Sequence, residues 1–361
     1  MLAIILLISF SGCSIENKDV EEQYQSRAFR MGFSTWPFGP GYDDKKQTMS
    51  FLSANADVYS EQIDSMIPWK ALTGKEDYPE KFVDDIDFRA ANKINNARLL
   101  LSVSLLNTDR SNLLADYDGS VPDYNSLDDA KISEAYCRYL KWLIDWLEPY
   151  YLIIAMEANE LYYKNPGLWS GYKSLIQRVR DELKREYPAL LVSESITLHN
   201  LYLPELQDTA KYHEEMKNVM AGQDFTAISF YPFFKGFHTK DEFQKAFDFL
   251  HSMTDKPIAF SETAHLAENL DAKSFNVHIK SNGLEQNSYL ECLLDNANKH
   301  GYEFIIWWAH MDYEKLLEVF PTEARDIGRL WRDTGLIDQD GKERPAYFTW
   351  KKVLSQTLQE R

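Results

Sequence analysis

Cysteine is scarce in this 361-residue sequence, which contains only Cys13, Cys137 and Cys292. Cys137 and Cys292 lie in helical patterns far apart in the chain, so we predict that they are small core residues and do not form a disulfide. The sequence also lacks a His-x-x-x-His or Cys-x-x-Cys pair with metal-ligand spacing, and no glycine-rich phosphate loop follows an apolar run. It therefore predicts no nucleotide, no metal site and no other cofactor.

An excess of positive charge is absent as well, because 56 acidic residues face 39 Lys and Arg and give a net charge of −17. Nucleic acid binding draws its affinity from Lys and Arg on phosphates, so a nucleic acid partner is excluded. Aromatic residues are abundant at 14%. Such rings stack on the apolar faces of sugars or fill helix–sheet interfaces. We expect a monomer that binds a neutral oligosaccharide or polysaccharide.

The first residues are apolar and close on Gly12 and Cys13. This run is too short to span a bilayer and is typical of a signal peptide. Its end resembles a bacterial lipobox, which implies lipidation at Cys13; the alternative is a buried N-terminal strand. We predict a lipoprotein signal peptide at 1–13, a polar tether at 14–28 and a catalytic domain at 29–361. The resemblance implies an exported protein, anchored by lipid at the periplasmic face or cell surface of a bacterium.

Apolar runs that begin near residues 29, 56, 99, 151, 190, 226, 257 and 303 alternate with helical patterns. The clearest helix covers residues 128–147, where apolar residues recur at steps of three and four and Pro149 follows. Strands that alternate with helices predict a parallel sheet, and eight such units predict closure into a barrel. The expected fold class is therefore α/β, as a single (β/α)8 barrel.

Two of these runs end in glutamates on what would be the catalytic face of such a barrel. The run 152–156 leads into Asn159 and Glu160, and the run 257–261 stops at Glu262. The two glutamates are 102 positions apart (262 − 160), which corresponds to about three strand–helix units at about 31 residues per unit. One carboxyl group would then end the fourth strand and the other the seventh. Two converging carboxyl groups are what glycoside hydrolysis needs.

Several motifs resemble glycoside hydrolase clan A, the retaining (β/α)8 glycosidases. Asn159-Glu160 resembles the clan's fourth-strand motif, Ser261-Glu262-Thr263 the seventh-strand glutamate, and Trp308 the eighth-strand tryptophan. Phe230-Tyr231-Pro232 resembles the sixth strand of the family 53 endo-β-1,4-galactanases, although the arginine of that family's second strand is missing from residues 57–62. The likeness covers about residues 29–350 and implies the clan without fixing the family.

The resemblance implies a role for each matching residue. Glu160 would be the general acid and base, Glu262 the nucleophile, Asn159 a ligand of the sugar 2-hydroxyl, and Trp308 the floor beneath the sugar. Tyr231 would donate its hydroxyl to Glu262. Glu157 is a rival to Glu160, because it shares strand parity with Asn159 and both could point inward. Each residue also has a purely structural alternative, such as a surface glutamate or a turn-forming asparagine.

Four further residues are candidates for substrate contact from their position alone: Trp36, Trp69, Asn107 and His265. For the two tryptophans packing under a loop is the alternative, and for the histidine a plain hydrogen bond; His310 is left open. The predicted function is a retaining β-glycosidase that cleaves within a polysaccharide. The alternative is a surface lipoprotein that binds glycans without cleaving them, since a fold does not fix a function.

Overall fold

A computed structural model of the chain describes residues 26–124 and 126–359. Its central sheet is parallel and contains eight strand positions, close to where the apolar runs predicted them. The strands are β1 Arg30–Ser34, β2 Val58–Ile63, β3 Arg98–Val103, β4 Tyr151–Ile153, β5 in two segments Leu191–Ser193 and Ser195–Thr197, β6 Thr226–Phe230, β7 Ile258–Thr263 and β8 Phe304–Trp307. The sequence-based prediction of the strands is confirmed.

The sheet closes on itself through the two segments of β5. Leu191–Ser193 pairs with β4, and Ser195–Thr197 pairs with β6. The other neighbours follow chain order, and β8 lies between β7 and β1. The predicted (β/α)8 barrel is therefore confirmed. In such a barrel the carboxyl ends of all strands meet on one face, which is where the site is expected.

One major helix follows each strand and packs on the outside of the barrel. These helices are α1 Tyr42–Asn55, α2 Glu80–Ala91, α3 Ala130–Leu147, α4 Trp169–Glu186, α5 Thr209–Ala221, α6 Lys240–Met253, α7 Gly283–His300 and α8 Pro345–Leu354. Shorter α-helices lie in the connections at Trp69–Leu72, Asn159–Lys164, Leu198–Tyr202, Glu314–Glu318 and Thr322–Gly328. Four 3-10 turns complete them, at Pro166–Leu168, Pro232–Lys235, Lys273–Phe275 and Arg329–Thr334.

Helix α3 shows how a sequence pattern predicts a helix. The Asp129 side chain accepts a hydrogen bond from the Lys131 amide and caps the helix start. Its apolar stripe, including Tyr136 and Leu140, is fully buried against the barrel. Glu148 ends the helix in the left-handed conformation, one residue before Pro149. The helix predicted over 128–147 is thus present within two residues at its start.

Two apolar layers hold the barrel together. The larger one lies between strands and helices and includes Cys137 and Cys292, which are buried free thiols as predicted. The smaller one fills the lower barrel, because its members come from strands all round the ring. They include Val58, Ile153 and Phe304, whose side chains share one strand parity with residues further up. Nearer the carboxyl ends of the strands, side chains of the same parity also point into the barrel and include polar residues of the site.

Both ends of the described chain belong to the folded domain. Ser26–Arg27 pairs in parallel with Thr357–Leu358, and buried Arg27 donates a 2.8 Å hydrogen bond to Asp57. The last residues of the tether predicted for 14–28 are therefore part of the domain. The predicted signal peptide and Cys13 lie outside the described residues. Within 26–124 and 126–359, no helix is both long and apolar enough to cross a membrane.

Candidate active site at the carboxyl ends of the strands

Glu262 is held by hydrogen bonds on both carboxylate oxygens. Tyr231, the residue after β6, donates its hydroxyl to Oε1, as predicted from the sequence. Gln62 of β2 donates its amide to Oε2 over 2.7 Å. Gln62 follows Val58 at a step of four, so the pleat of β2 points both side chains into the barrel. The carboxylate is thus fixed in orientation from two sides of the ring.

The pKa of Glu262 depends on its burial and on the groups around it. Burial and the negative charge of Glu157 raise the pKa of Glu262 to about 7. The hydrogen bonds from Tyr231 and Gln62 act in the opposite direction, because they favour the ionised form. The carboxyl group therefore changes charge close to neutral pH, the range in which enzymes usually work.

Glu157 is the nearest source of the charge that acts on Glu262. Its backbone is in the left-handed region (φ 54°), where a non-glycine residue is strained. Arg110 donates two N–H groups to Oε2 over 3.2 and 2.9 Å, and Ser229 donates to Oε1 over 2.9 Å. Burial acts to raise the pKa of Glu157, but the Arg110 charge and these bonds leave it lowered. Glu157 is therefore a carboxylate at neutral pH.

Glu160 lies one turn further on, in the first turn of the helix Asn159–Lys164. Its Oε1 accepts hydrogen bonds from Thr197 and, over 2.7 Å, from Asn200, both at the carboxyl end of β5. The side chain is 8% exposed. Burial, supported by the charge of Glu157, raises the pKa of Glu160 above its usual range despite these bonds. A carboxyl group with a raised pKa is suited to donate a proton.

Asn159 is turned away from the cleft and is fully buried. Its amide donates to Thr197 Oγ1 over 2.8 Å and to the Tyr212 hydroxyl over 2.9 Å, and its oxygen accepts from the Thr197 amide over 2.8 Å. Asn159 therefore ties the end of β4 to β5 and α5. This arrangement favours the structural alternative over the predicted contact with a sugar hydroxyl.

Trp308 and Trp36 lie together beside the site. Their ring centroids are 5.2 Å apart with planes tilted by 36°, and Trp308 is 8% exposed. A cavity of about 240 Å³ is lined by Trp36, Gln62, Glu61 and Arg89 among others. Because Gln62 also donates to Glu262, this cavity adjoins the candidate nucleophile. An aromatic wall with charged and amide groups opposite is typical of a carbohydrate site.

Trp36 lines this cavity, whereas four other candidates from the sequence do not: Trp308, Trp69, Asn107 and His265. Trp69 is 3% exposed, packs on Tyr136 and donates its indole N–H to the Leu114 carbonyl, so it packs under a loop. Asn107 accepts hydrogen bonds from two amides of its own loop, Ser111 and Asn112, and shapes the turn that presents Arg110. Burial of Trp69 and the hydrogen bonds of Asn107 within its own loop favour a structural role for both.

His265 is fully buried and lies between the end of β7 and α7. Its Nε2 is 3.6 Å from a carboxylate oxygen of Glu285, and His238 contacts the same oxygen. Direct contact between His265 and a sugar is not favoured by this burial. His310, which the sequence left open, is 3% exposed and packs on Phe33 and Phe51.

Sequence reasoning missed three residues of the site: Gln62, Arg110 and His199. Gln62 could have been found from strand parity with Val58. Arg110 lies in the long β3–α3 connection, where no pattern indicates which side chain turns inward. His199, just after β5, is 9% exposed and close enough to Glu157 that its protonated form would lower the pKa of Glu157. Burial lowers the pKa of His199 to about 4, so it is neutral near pH 7.

The chain was compared with known proteins. No family model matches the sequence, and no curated protein is similar to it. Similar solved structures include a family 5, subfamily 18 glycoside hydrolase of Bifidobacterium longum, at 14% identity over 92% of this chain and 81% of that one, with a TM-score of 0.67.

Two further structures are similar over nearly their whole length. The family 53 catalytic domain of Ignisphaera aggregans is 16% identical over 92% of this chain and 97% of its own, with a TM-score of 0.58. Xylanase 10B of Thermotoga maritima is 12% identical over 93% and 97%, with a TM-score of 0.59. At these identities the likeness shows the fold. The chain thus shares the (β/α)8 barrel fold of these glycoside hydrolases, the fold that the sequence predicted.

Proposed function

We propose that this protein is a retaining β-glycoside hydrolase. The observation that carries the proposal is the arrangement around Glu262: a carboxylate oriented by Tyr231 and Gln62 on the catalytic face of a glycosidase barrel, with Glu160 and Glu157 at the end of β4. The three similar solved structures described above are glycoside hydrolases, which supports the same class of reaction. An aromatic-walled cavity beside Glu262 suits a sugar.

The reaction would proceed by double displacement. Ionised Glu262 attacks the anomeric carbon and forms a glycosyl ester, while the bond to the leaving oxygen breaks and Glu160 transfers its proton to that oxygen. Glu160, now a carboxylate, then takes a proton from water, and the water oxygen replaces Glu262 on the anomeric carbon. Both residues return to their starting charge, and the sugar keeps its original anomeric configuration.

Glu160 suits the role of proton donor better than Glu157 does. The two N–H groups of Arg110 hold Glu157 as a carboxylate, and its pKa is lowered. The pKa of Glu160 is raised, mainly by burial. Glu157 then acts through its charge, which favours the protonated forms of both Glu160 and Glu262.

The proposed substrate is a β-linked neutral polysaccharide, cleaved within the chain. The net charge of −17 disfavours polyanionic ligands. The similar structures include an exo-β-1,4-mannosidase, a xylanase and a family 5 enzyme solved with Manβ1-4GlcNAc, so β-linked glycans are the class to examine first. We further propose that the enzyme is an exported monomer, anchored by lipid at Cys13 at the periplasmic face or the cell surface of a bacterium.

A panel of purified polysaccharides tests this proposal. We expect release of reducing ends from at least one β-linked glycan, with oligosaccharides of several lengths appearing early if cleavage is internal. Proton NMR of the first product should show the β-anomer before mutarotation. Binding to a glycan in a native gel without any release of reducing ends would instead favour the non-catalytic binding protein. An α-anomer as the first product would contradict retention.

A further inference from the structure

The structure brings together two histidines and a glutamate from three separate segments. His238 lies in the connection between β6 and α6, His265 three residues after Glu262, and Glu285 in the first turn of α7. His238 Nδ1 is 2.5 Å from Glu285 Oε1, and His265 Nε2 is 3.6 Å from the same oxygen. One donor atom of each residue lies within 4.8 Å of the other two.

We propose that His238, His265 and Glu285 bind a divalent transition-metal ion, with Zn²⁺ as the best match. Two imidazole nitrogens and one carboxylate oxygen are the donor set that Zn²⁺ takes in many proteins, with bonds of about 2.0–2.2 Å. Ligands of a tetrahedral ion would then be about 3.3 Å apart, so on binding the His238–Glu285 pair would open from 2.5 Å, the His265–Glu285 pair would close slightly from 3.6 Å, and all three atoms start within 4.8 Å of one another. A water molecule would complete the coordination.

The hydrogen-bonding surroundings of His265 support an ion. Its Nδ1 is 3.1 Å from the Leu266 carbonyl, and its Nε2 is 3.3 Å from the Phe237 carbonyl, besides the Glu285 carboxylate. Both nitrogens therefore face oxygen atoms that only accept. A neutral imidazole has one N–H group, so its other nitrogen would face these oxygens with a lone pair.

Without an ion, this conflict could be avoided by a hydrogen bond from Ser281 or by protonation of both nitrogens of His265. Neither is favourable. The nearby Ser281 hydroxyl already donates to the Leu266 carbonyl over 2.7 Å and is 3.5 Å from Nδ1. Protonation of both nitrogens would place a positive charge on a fully buried ring, which is costly. A cation on Nε2 resolves the conflict, because Nδ1 then carries the hydrogen and donates it to Leu266, the arrangement usual for metal-bound histidines.

In another cluster of the described chain, two of the three possible ligands already have arginine partners. Asp312, Glu314 and Asp333 also bring three ligand atoms together. However, Arg344 donates to both oxygens of Asp312, and Arg332 donates to both oxygens of Asp333. Those carboxylates already have cationic partners, so they need no ion. In the histidine cluster the Glu285 carboxylate instead contacts two imidazole rings, so this cluster is the better site.

An ion at this site would act as a clamp. It would join the loop after β6, which begins at Tyr231, to the segment after Glu262 and to the start of α7. The ring of Phe233, in that loop, packs edge-on against His265 with centroids 5.9 Å apart. This clamp would hold Tyr231 against Glu262, and that part of the inference rests on the proposed glycosidase function.

Metal binding can be measured without any activity assay. Full-length protein freed of metal with a chelator should bind one Zn²⁺ per chain by calorimetry and elemental analysis, and its Tm should rise as Zn²⁺ is added. Co²⁺ should give the visible absorption of a site with nitrogen and oxygen ligands. His238→Ala and Glu285→Gln should each weaken Zn²⁺ binding by about tenfold or more. His238 lies in a loop, and Glu285 lies in the first turn of α7.

His278→Ala is the matched control, because His278 is an exposed histidine paired with one carboxylate, Asp271, and no second histidine. It should bind Zn²⁺ like the wild type. Failure of the wild type to bind Zn²⁺, or equal binding by wild type and His238→Ala, would overturn the proposal. Binding without glycosidase activity would leave the metal site standing and contradict only the proposed function.

Discussion

Tyr231 donates its hydroxyl hydrogen to Glu262 and thereby joins the end of β6 to the end of β7. Burial and the charge of Glu262 hold the pKa of Tyr231 well above its usual value, so the phenol stays protonated and acts as a donor. With Gln62 on the other oxygen, the carboxylate of Glu262 has little freedom to rotate. A nucleophile held in one orientation reacts faster, because less ordering is required in the transition state.

Removal of this donor should change both rate and pH dependence. In Tyr231→Phe the ring remains but the hydrogen bond that favours ionised Glu262 is lost, so the pKa of Glu262 should rise. We expect kcat/KM to fall and its acidic limb to move to higher pH. Measurement of kcat/KM from pH 5 to pH 9 checks this. An unchanged acidic limb would show that Tyr231 does not tune Glu262.

Glu157→Gln should move the acidic limb of the kcat/KM profile to lower pH, the opposite of the shift expected for Tyr231→Phe. Burial and the negative charge of Glu157 together raise the pKa of Glu262 to about 7. Loss of that charge lowers the pKa of Glu262, so the enzyme should keep its activity to lower pH. If Glu157 were itself the proton donor, the variant would instead lose roughly 10²–10⁴-fold in kcat at every pH. The pH profile thus decides between Glu157 and Glu160.

Glu160→Gln and Glu262→Gln should each remove nearly all activity. Loss of the general acid is expected to cost roughly 10²–10⁴-fold in kcat, and loss of the nucleophile at least as much. Activated aryl glycosides, which need little protonation, should partly restore turnover in Glu160→Gln. Azide should restore turnover in Glu262→Ala by taking the place of the carboxylate. Full activity in either Gln variant would refute the assignment.

Asn159→Ala tests whether Asn159 is structural. The substitution leaves the Thr197 amide and the Tyr212 hydroxyl without their buried partner. An unsatisfied buried polar group costs about 1–3 kcal/mol, so the free energy of unfolding should fall by at least that much in urea denaturation. A variant as stable as the wild type but with reduced kcat would support the sugar contact predicted from the sequence.

Lipidation of Cys13 can be tested in a bacterial host. The full-length chain should incorporate labelled palmitate and partition into the membrane fraction. Cys13→Ala should lose both the label and the membrane association, because a thioether-linked lipid requires the thiol. Cys292→Ala, which changes a buried thiol in the folded domain, is the matched control and should keep the label. Labelled Cys13→Ala protein would contradict the predicted anchor.

The sequence alone determined the barrel and the candidate carboxylates. Apolar runs that alternate with helical patterns located the strands, because burial on both faces leaves a continuous signal in the sequence. The residues just after such runs lie on one face of any parallel barrel, so Glu262 and Tyr231 could be placed together. Because these patterns are local, they can be recognised in the sequence alone.

Only the tertiary structure decided the charge of each carboxyl group and its partners. Arg110 reaches Glu157 from an irregular loop 47 positions away, and the left-handed turn at Glu157 changes the parity that sequence reasoning relies on. The ligand set of His238, His265 and Glu285 likewise has no regular spacing. A pKa depends on burial and on charges a few ångströms away, and the folded chain sets those distances without regard to separation in sequence.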